Sequence, residues 1–218
     1  MTAKERIMGR IKRQVSDRAS LAERRANVAA RLAAHSQTAP TPSQSRPAAD
    51  ERIEQFCAKV VAADGTASRV ASMEDLPEAL AAELRGRNLG ASIRTGGEPA
   101  FAGLDWGQVE ISHGPGRIEE PATLSLASYA MAETGTVALR SGPDNPVTLT
   151  FLGETHFVAV RAEDIQDGFE DLWERVRHDG DLPRTVNMVT GPSRSGDIGQ
   201  VLQLGAHGPV ALHVFVVG

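Results

Sequence analysis

The segment 189–209, VTGPSRSGDIGQVLQLGAHGP, holds more polar side chains and glycines than a simple turn requires. Ser193 and Ser195 supply hydroxyls, Arg194 supplies a planar cation, and Gly191 permits a close approach of the backbone. Together these groups suit the binding of a phosphate or a carboxylate. The same residue types also suit a well-capped loop, and the sequence leaves both interpretations open.

Asp197 and His207 carry the remaining chemistry of this segment. Asp197 suits either the orientation of a ligand hydroxyl or the capping of a following helix. His207 stands between glycines in GAHGP, a position more typical of a binding loop than of a core. Ser193, His207 and Asp197 form a nominal catalytic triad, but no G-x-S-x-G elbow accompanies them. The six histidines also lack metal-binding spacings, so we predict no metal site.

A second candidate site lies in YAMAETGTVALRSG, residues 129–142. Glu133 precedes Thr134, Gly135 and Thr136, which we expect to contribute to ligand binding. A carboxylate at a tight junction between apolar strands suits a partly buried acid with a raised pKa, acting as a nucleophile or in acid–base catalysis. The alternative is structural, with Glu133 accepting backbone hydrogen bonds to fix a bulge beside Gly135.

Helical and strand-like patterns alternate from residue 51 onward. Three helices are predicted: one through Ile53, Phe56, Val60 and Val61, one beginning near Asp75, and one with a face of Ile165, Phe169, Leu172, Trp173 and Val176 that ends at Gly180. The predicted strands are residues 68–71 and the segments SIRT, WGQVEIS, ATLSLA, TVALRS, VTLTFL, HFVAVR, TVNMVTG and PVALHVFVVG.

These elements predict an α/β fold, a three-layer α/β/α domain with a mostly parallel central sheet. TVNMVTG and PVALHVFVVG are continuous apolar runs, which predicts strands covered on both faces. In open sheets of this kind, ligands lie beyond the carboxyl ends of strands, where loops lead into helices. Residues 185–200 have that layout, which is why we expect the site there.

The chain before this domain has a different character. Residues 1–36 are predicted to form a basic helical arm of two helices with a net charge of +6, and residues 37–50 a proline-rich linker before the domain at 51–218. The arm lacks aromatic residues, so we expect neither a nucleic-acid partner nor insertion into a membrane. Its thin apolar faces suggest docking on the domain or on a second copy, as in a homo-oligomer.

Cysteine and lysine usage excludes several chemistries. Cys57 is the single cysteine, so these 218 residues cannot supply the thiolates of an iron–sulfur cluster or a structural zinc site. No lysine follows Lys59, which excludes Schiff-base chemistry in the later part of the chain. No apolar run approaches the ~20 residues that cross a bilayer, and charges occupy the start of the chain, so we expect a cytoplasmic protein.

Two segments, AETGTVAL (132–139) and TGPSRSGDIGQVLQLGAHGP (190–209), resemble the LUD-domain family, and the similarity extends over roughly residues 50–218. Gly196, Gly199 and Ala206 depart from the residues usual in that family. The resemblance implies a fold like that of the NagB/RpiA/CoA-transferase group. It also implies a three-component system that oxidises L-lactate to pyruvate, with the iron–sulfur clusters on partner proteins.

Two functions follow as hypotheses. In the first, the chain is a subunit without redox chemistry, binds no cofactor alone, holds a small anionic ligand at the segment around Arg194, and docks the iron–sulfur subunits. In the second, it is an independent isomerase or CoA-transferase with Glu133 as nucleophile or acid–base residue, although the glycine-rich oxyanion segment of such transferases is missing. The sequence does not decide whether the chain is an enzyme.

Overall fold

The computed structural model describes residues 2–16, 19–34, 40–48, 51–180, 182–198 and 201–218. The chain forms two compact units, Met1–Pro40 and Thr41–Gly218. The predicted linker falls partly outside the described residues. Of its described part, Ser45 is 4% exposed and lies beside Gly168, so this stretch belongs to the larger unit.

Helices occupy both units. Their bounds are α1 Ala3–Ser16, α2 Leu21–Ala34, α3 Arg52–Ala62, α4 Leu76–Gly86, α5 Val147–Leu152 and α6 Phe169–His178. The two helices predicted in the arm are confirmed, as are those at α3 and α4. No helix in the part of the chain that the structure describes has both the length and the apolar character needed to cross a membrane.

The larger unit contains twelve strands among its described residues. Their bounds are β1 Thr66–Val70, β2 Ser92–Thr95, β3 Glu110–His113, β4 Ala122–Leu126, β5 Tyr129–Met131, β6 Thr136–Arg140, β7 Thr155–Arg161, β8 Ile165–Gln166, β9 Val186–Val189, β10 Arg194–Ile198, β11 Val201–Leu204 and β12 Ala211–Val217. The central sheet has the order β1-β12-β7-β4-β2-β3, and every pairing in it is parallel.

Two smaller sheets accompany the central one. A four-stranded sheet has the order β8-β5-β6-β9, and β10 and β11 form an antiparallel hairpin. Apolar side chains of α4 pack on one face of the central sheet, and those of α3 and the four-stranded sheet pack on the other. Leu172 and Val176 of α6 cover the outer face of the four-stranded sheet. The predicted α/β architecture, a parallel sheet with helices on both sides, is confirmed.

Two histidines are buried in the central sheet. His156 is fully buried, with Nε2 3.1 Å from Ser125 Oγ, and burial lowers its pKa to about 3. His213 lies between Thr66 Oγ1 at 2.8 Å and Ser68 Oγ at 3.0 Å, and burial lowers its pKa to about 4 against the opposing effect of Glu83. Both imidazoles are therefore neutral at pH 7.

The segment VTLTFL, predicted as a strand, is the helix α5. Pro146 precedes it with φ −57° and has no N–H to donate to a sheet ladder. One and a half helical turns bury Leu149 and Thr150 completely and leave Phe151 and Leu152 exposed. The burial of two residues in the fold overrides the β-propensity of the alternating sequence.

The boundaries near residue 165 and the position of β9 also differ from prediction. Ile165 belongs to β8, because Gly168 is fully extended and the helix α6 begins only at Phe169. β9 lies at an edge of the four-stranded sheet and is half-buried, so the expectation of a strand covered on both faces was wrong there. It was right for β12, whose residues after Ala211 are buried.

Candidate functional site

Glu133 lies between the four-stranded sheet and the start of α6. Its carboxylate accepts a hydrogen bond of 3.2 Å from the backbone N–H of Phe169, the first residue of that helix. Its own N–H donates to the carbonyl of Asp167, whose side chain forms an ion pair with Arg52. A carboxylate here satisfies one of the free N–H groups at a helix N-terminus. Glu133 therefore has a structural role at this position.

Three threonine hydroxyls connect the two candidate segments. Thr134 Oγ1 and Thr136 Oγ1 are 2.6 Å apart, and Thr136 Oγ1 is 2.6 Å from Thr190 Oγ1. Thr136 is 4% exposed. The chain of hydroxyls thus joins the beginning of β6 to the residue that follows β9, two strands that are paired in the same sheet.

Two glycines of the candidate segments pack against the helix α3. Gly135 has φ +69°, and a Cβ on it would overlap the backbone nitrogen of Val60. Gly191 has φ +70°, and a Cβ on it would overlap the carbonyl oxygen of Ala63. Both positions require glycine for conformation and for space. We call the contact of Gly135, Thr136, Thr190 and Gly191 with one another and with α3 the helix seam.

Ser193 joins the two glycine-rich stretches of the segment 189–209. Its N–H donates to the carbonyl of Pro209 at 2.8 Å, and its carbonyl accepts from Gly205 at 3.0 Å. Its hydroxyl accepts a 3.3 Å hydrogen bond from the N–H of His207. The GPS and GAHGP stretches are therefore in direct contact, although they are far apart in the segment.

The sequence pattern predicted that this loop leads into a helix. No helix follows these residues in the part of the chain that the structure describes. Residues 194–198 and 201–204 are instead the antiparallel strands β10 and β11. Asp197 lies in β10, so it does not cap a helix, and its side chain is outside the described residues. Ser195 pairs with Gln203 across the hairpin.

Arg194 points to a different neighbour from that of Ser193. Its Nε lies 3.3 Å from Oδ2 of Asp64, a residue with φ +64° just after α3. The two side chains are 37% and 60% exposed, so this is a surface ion pair. An anionic ligand at Arg194 would compete with the carboxylate of Asp64 for the guanidinium.

A cavity of about 400 Å³ opens beside His207. Its wall contains Gly205, Ala206 and Gly208 from the same stretch, together with Gly153 and Glu154. Four large apolar side chains line it while remaining exposed to solvent: Ile118 (77%), Phe151 (41%), Leu152 (38%) and Val210 (42%). We call Glu154, His207 and these four side chains the pocket rim.

The pocket rim lies at the amino-terminal edge of the central sheet. Glu154 directly precedes β7 and Val210 directly precedes β12, and the N–H of Val210 donates to the carbonyl of Glu154 at 2.8 Å. A site beyond the carboxyl ends of the strands was predicted for residues 185–200, whereas His207 lies in the stretch that leads into β12.

The charges of this pocket differ from those of a simple anion site. The two ionisable side chains among its described lining residues are Glu154 and His207. A carboxylate repels lactate or phosphate, so the pocket itself favours a neutral or basic group above its apolar wall. The sequence analysis missed Glu154 and Phe151. A charged residue next to exposed apolar ones, in FLGETHF before a buried strand, was the available signal.

The structure therefore divides the predicted site residues whose side chains it describes among four places. Glu133 is at the start of α6, and Thr134, Gly135, Thr136 and Gly191 are at or beside the helix seam. Ser193 and His207 are at the pocket, and Arg194 faces Asp64 just after α3. The described contacts do not bring Glu133 to His207.

A second cavity, of about 420 Å³, lies between α4 and residues 105–109. Its wall is mainly apolar, with Leu84, Leu89 and Trp106, and its charged members are Glu78, Arg85 and Asp105. None of the predicted site residues is among the residues that line it.

Residues 121–217 match the LUD domain family, which confirms the predicted resemblance over that range. Lactate utilization protein C of Geobacillus sp. (strain WCH70) is 31% identical over 98 residues, which cover 43% of this chain and 41% of the relative. Lactate utilization protein C of Bacillus licheniformis is 34% identical over 98 residues, with the same coverage. The match thus spans about two fifths of the length of these curated relatives.

The fold is shared with a solved structure. The crystal structure of a DUF162 family protein from Deinococcus radiodurans superimposes with a TM-score of 0.60 and 23% sequence identity. The superposition covers 79% of this chain and 100% of that chain. The pocket rim, apart from Ile118, and the helix seam, apart from α3, lie inside residues 121–217.

Proposed function

Because residues 121–217 match the LUD domain family, we propose that this chain serves L-lactate utilisation as a subunit that has no redox centre of its own. The names of its relatives support the process, and the pocket rim supports the role of a subunit. The rim is the observation that carries the proposal: four large apolar side chains meet in solvent around a concave surface.

Apolar patches of this kind on a folded protein mark surfaces that bind other molecules. Phe151 and Leu152 are exposed by the short helix α5, while Leu149 of the same helix is buried. One side of the helix therefore packs in the core through Leu149, and the other side exposes Phe151 and Leu152 to solvent. A partner that inserts an apolar side chain into the cavity and places a basic group near Glu154 would satisfy both features of the rim.

The oxidation of L-lactate to pyruvate removes two electrons and two protons, so an electron acceptor is required. An iron–sulfur cluster is normally held by four thiolates. The single cysteine of these residues, Cys57, is partly buried, and burial raises the pKa of its thiol. The clusters that accept the electrons therefore belong to partner proteins, and this chain positions those partners.

Growth on L-lactate tests the proposal. A strain that lacks the chain is complemented with the wild type, with the pocket variant Phe151→Asp/Val210→Asp, or with Leu182→Asp. Leu182 is 65% exposed and is not among the residues that line the pocket, so it controls for an added surface charge. We expect the pocket variant alone to fail on L-lactate, while all strains grow on pyruvate.

Two results would contradict the proposal. Normal growth of the pocket variant on L-lactate would remove the role of the rim, and L-lactate-dependent dye reduction by the isolated chain would show a redox centre within it. Glu133→Gln separates the transferase alternative. Glutamine retains an oxygen that accepts from Phe169, so the fold is preserved, and we expect normal growth. Loss of growth with unchanged stability would instead favour Glu133 as a catalytic residue.

A further inference from the structure

Both helices of the first unit are capped at their first turn. Thr2 and Glu5 exchange hydrogen bonds, from Thr2 N–H to the Glu5 carboxylate at 2.7 Å and from Glu5 N–H to Thr2 Oγ1 at 3.2 Å. Ser20 and Glu23 repeat the same pair of bonds at 2.7 and 3.2 Å. Such reciprocal caps favour the helical state of short segments. Because both segments are helical, the residues that share one side of α1 or α2 follow from the helical spacing.

The apolar side chains of α1 lie on one side and are exposed. Ile7, Met8 and Ile11 are 59%, 45% and 49% exposed. At about 100° per residue, these three occupy one arc of the helix, and Arg10 and Lys12 border that arc on its two sides. On α2, Leu21, Val28 and Leu32 form a second exposed row, at 56%, 54% and 67%.

The charge of the arm is strongly positive. Residues 1–36 carry nine lysines and arginines against three acidic residues, a net charge of +6. A second copy of the arm would meet this one with like charge. Nucleic acid would pair with the arginines but would leave the exposed isoleucines in water. A surface with an apolar interior and anionic groups at its boundary can bind the exposed apolar side chains and the basic side chains at the same time.

We infer that α1 and α2 adsorb to an anionic phospholipid surface, lying in the plane of the interface without crossing it. The isoleucines and leucines enter the boundary between headgroups and acyl chains, and the bordering basic side chains contact lipid phosphates. This would hold the chain at a membrane surface. The inference rests on the arm alone and does not depend on the proposed function of the larger unit.

Co-sedimentation of the full chain with vesicles tests this inference. The vesicles contain phosphatidylcholine alone or phosphatidylcholine with about 30% phosphatidylglycerol. We expect binding only to the anionic vesicles, weakening as salt rises from about 0.1 M to about 0.5 M. The variant Ile7→Asp/Ile11→Asp should bind at least about tenfold more weakly, because two apolar side chains that would enter the lipid are replaced by charges that lipid phosphates repel.

The matched control is Val61→Asp/Leu182→Asp. It makes the same change in charge at two apolar side chains of the larger unit that are 57% and 65% exposed, and it should bind like the wild type. Absence of binding to anionic vesicles, or equal loss in both variants, would overturn the inference. So would arm-dependent dimerisation in light scattering, or salt-sensitive binding to duplex DNA, without vesicle binding. These outcomes would assign the arm to a second copy or to nucleic acid.

Discussion

The helix seam and the pocket rim differ in how their residues are packed. At the seam, Gly135 and Gly191 have no space for a side chain, and the hydroxyl of Thr136 is buried between two others. At the rim, Phe151 and Val210 face solvent. Packing explains every residue type at the seam and none at the rim, so the rim is where function must be sought.

The largest expected effect of a substitution is at the seam. Gly191→Ala should lower the free energy of unfolding by about 3 kcal/mol or more, because the new Cβ overlaps Ala63 and alanine is strained at φ +70°. Urea denaturation at pH 7.5 measures the change. Gly142→Ala is the control, since nothing lies within 4 Å of a Cβ there. Equal stability of the two variants would show that the seam is not rigid.

The next effect concerns the two histidines that are buried in the central sheet. The pKa values of His156 and His213 are lowered by burial to about 3 and about 4, so the unfolded chain binds protons first as pH falls below about 6.5. Between pH 7.5 and 5, each should cost about 2 kcal/mol of stability. Above about pH 7.5 the stability is not reduced by either histidine.

Denaturation of His213→Gln at both pH values checks this, and the variant should lose a large part of the pH dependence. An unchanged pH dependence in His213→Gln would mean that acidic groups cause the effect.

A smaller effect is expected from the hydroxyl chain. Thr136→Val keeps the shape of the side chain but leaves the hydroxyls of Thr134 and Thr190 without their shared partner. The free energy of unfolding should fall by about 1–2 kcal/mol. Thr134→Val, at the half-buried end of the chain, should cost less. The reverse order of the two variants in urea denaturation would contradict the geometry described above.

The smallest effect on stability is expected at Arg194. Its pair with Asp64 is on the surface, so Arg194→Gln should change the free energy of unfolding by less than about 1 kcal/mol. Thermal shifts with L-lactate then test the predicted anion site. Stabilisation of the wild type but not of Arg194→Gln would support that site, whereas equal responses would leave Arg194 with Asp64 as its partner.

Local sequence patterns predicted those elements whose residues decide their own conformation. The apolar spacing of α3 and the apolar run of β12 were sufficient. VTLTFL was misread because its alternation suits a strand, while the burial of Leu149 and Thr150 depends on residues far away in the chain. The same holds for the candidate site. That Ser193 reaches His207 and that Gly135 meets α3 are long-range facts.

The position of Glu154 shows the same limit. A single glutamate before a strand has no distinctive spacing, and it becomes part of a pocket only because β7 and β12 are neighbours in the sheet. The motifs in the sequence include His207, which lies beside this pocket, but not Glu154. The other residues of the pocket could be identified only from the arrangement of the strands.

The order of the central sheet has a consequence for synthesis of the protein. β1 is at an edge of this sheet, and its neighbour there is β12, with Thr66 paired with His213. During translation, β1 leaves the ribosome long before β12 exists. The backbone groups of β1 that bond to β12 have no partner strand until residues 211–217 emerge. Closure of this parallel pair joins distant parts of the chain, so we expect it to be a late and slow step in folding.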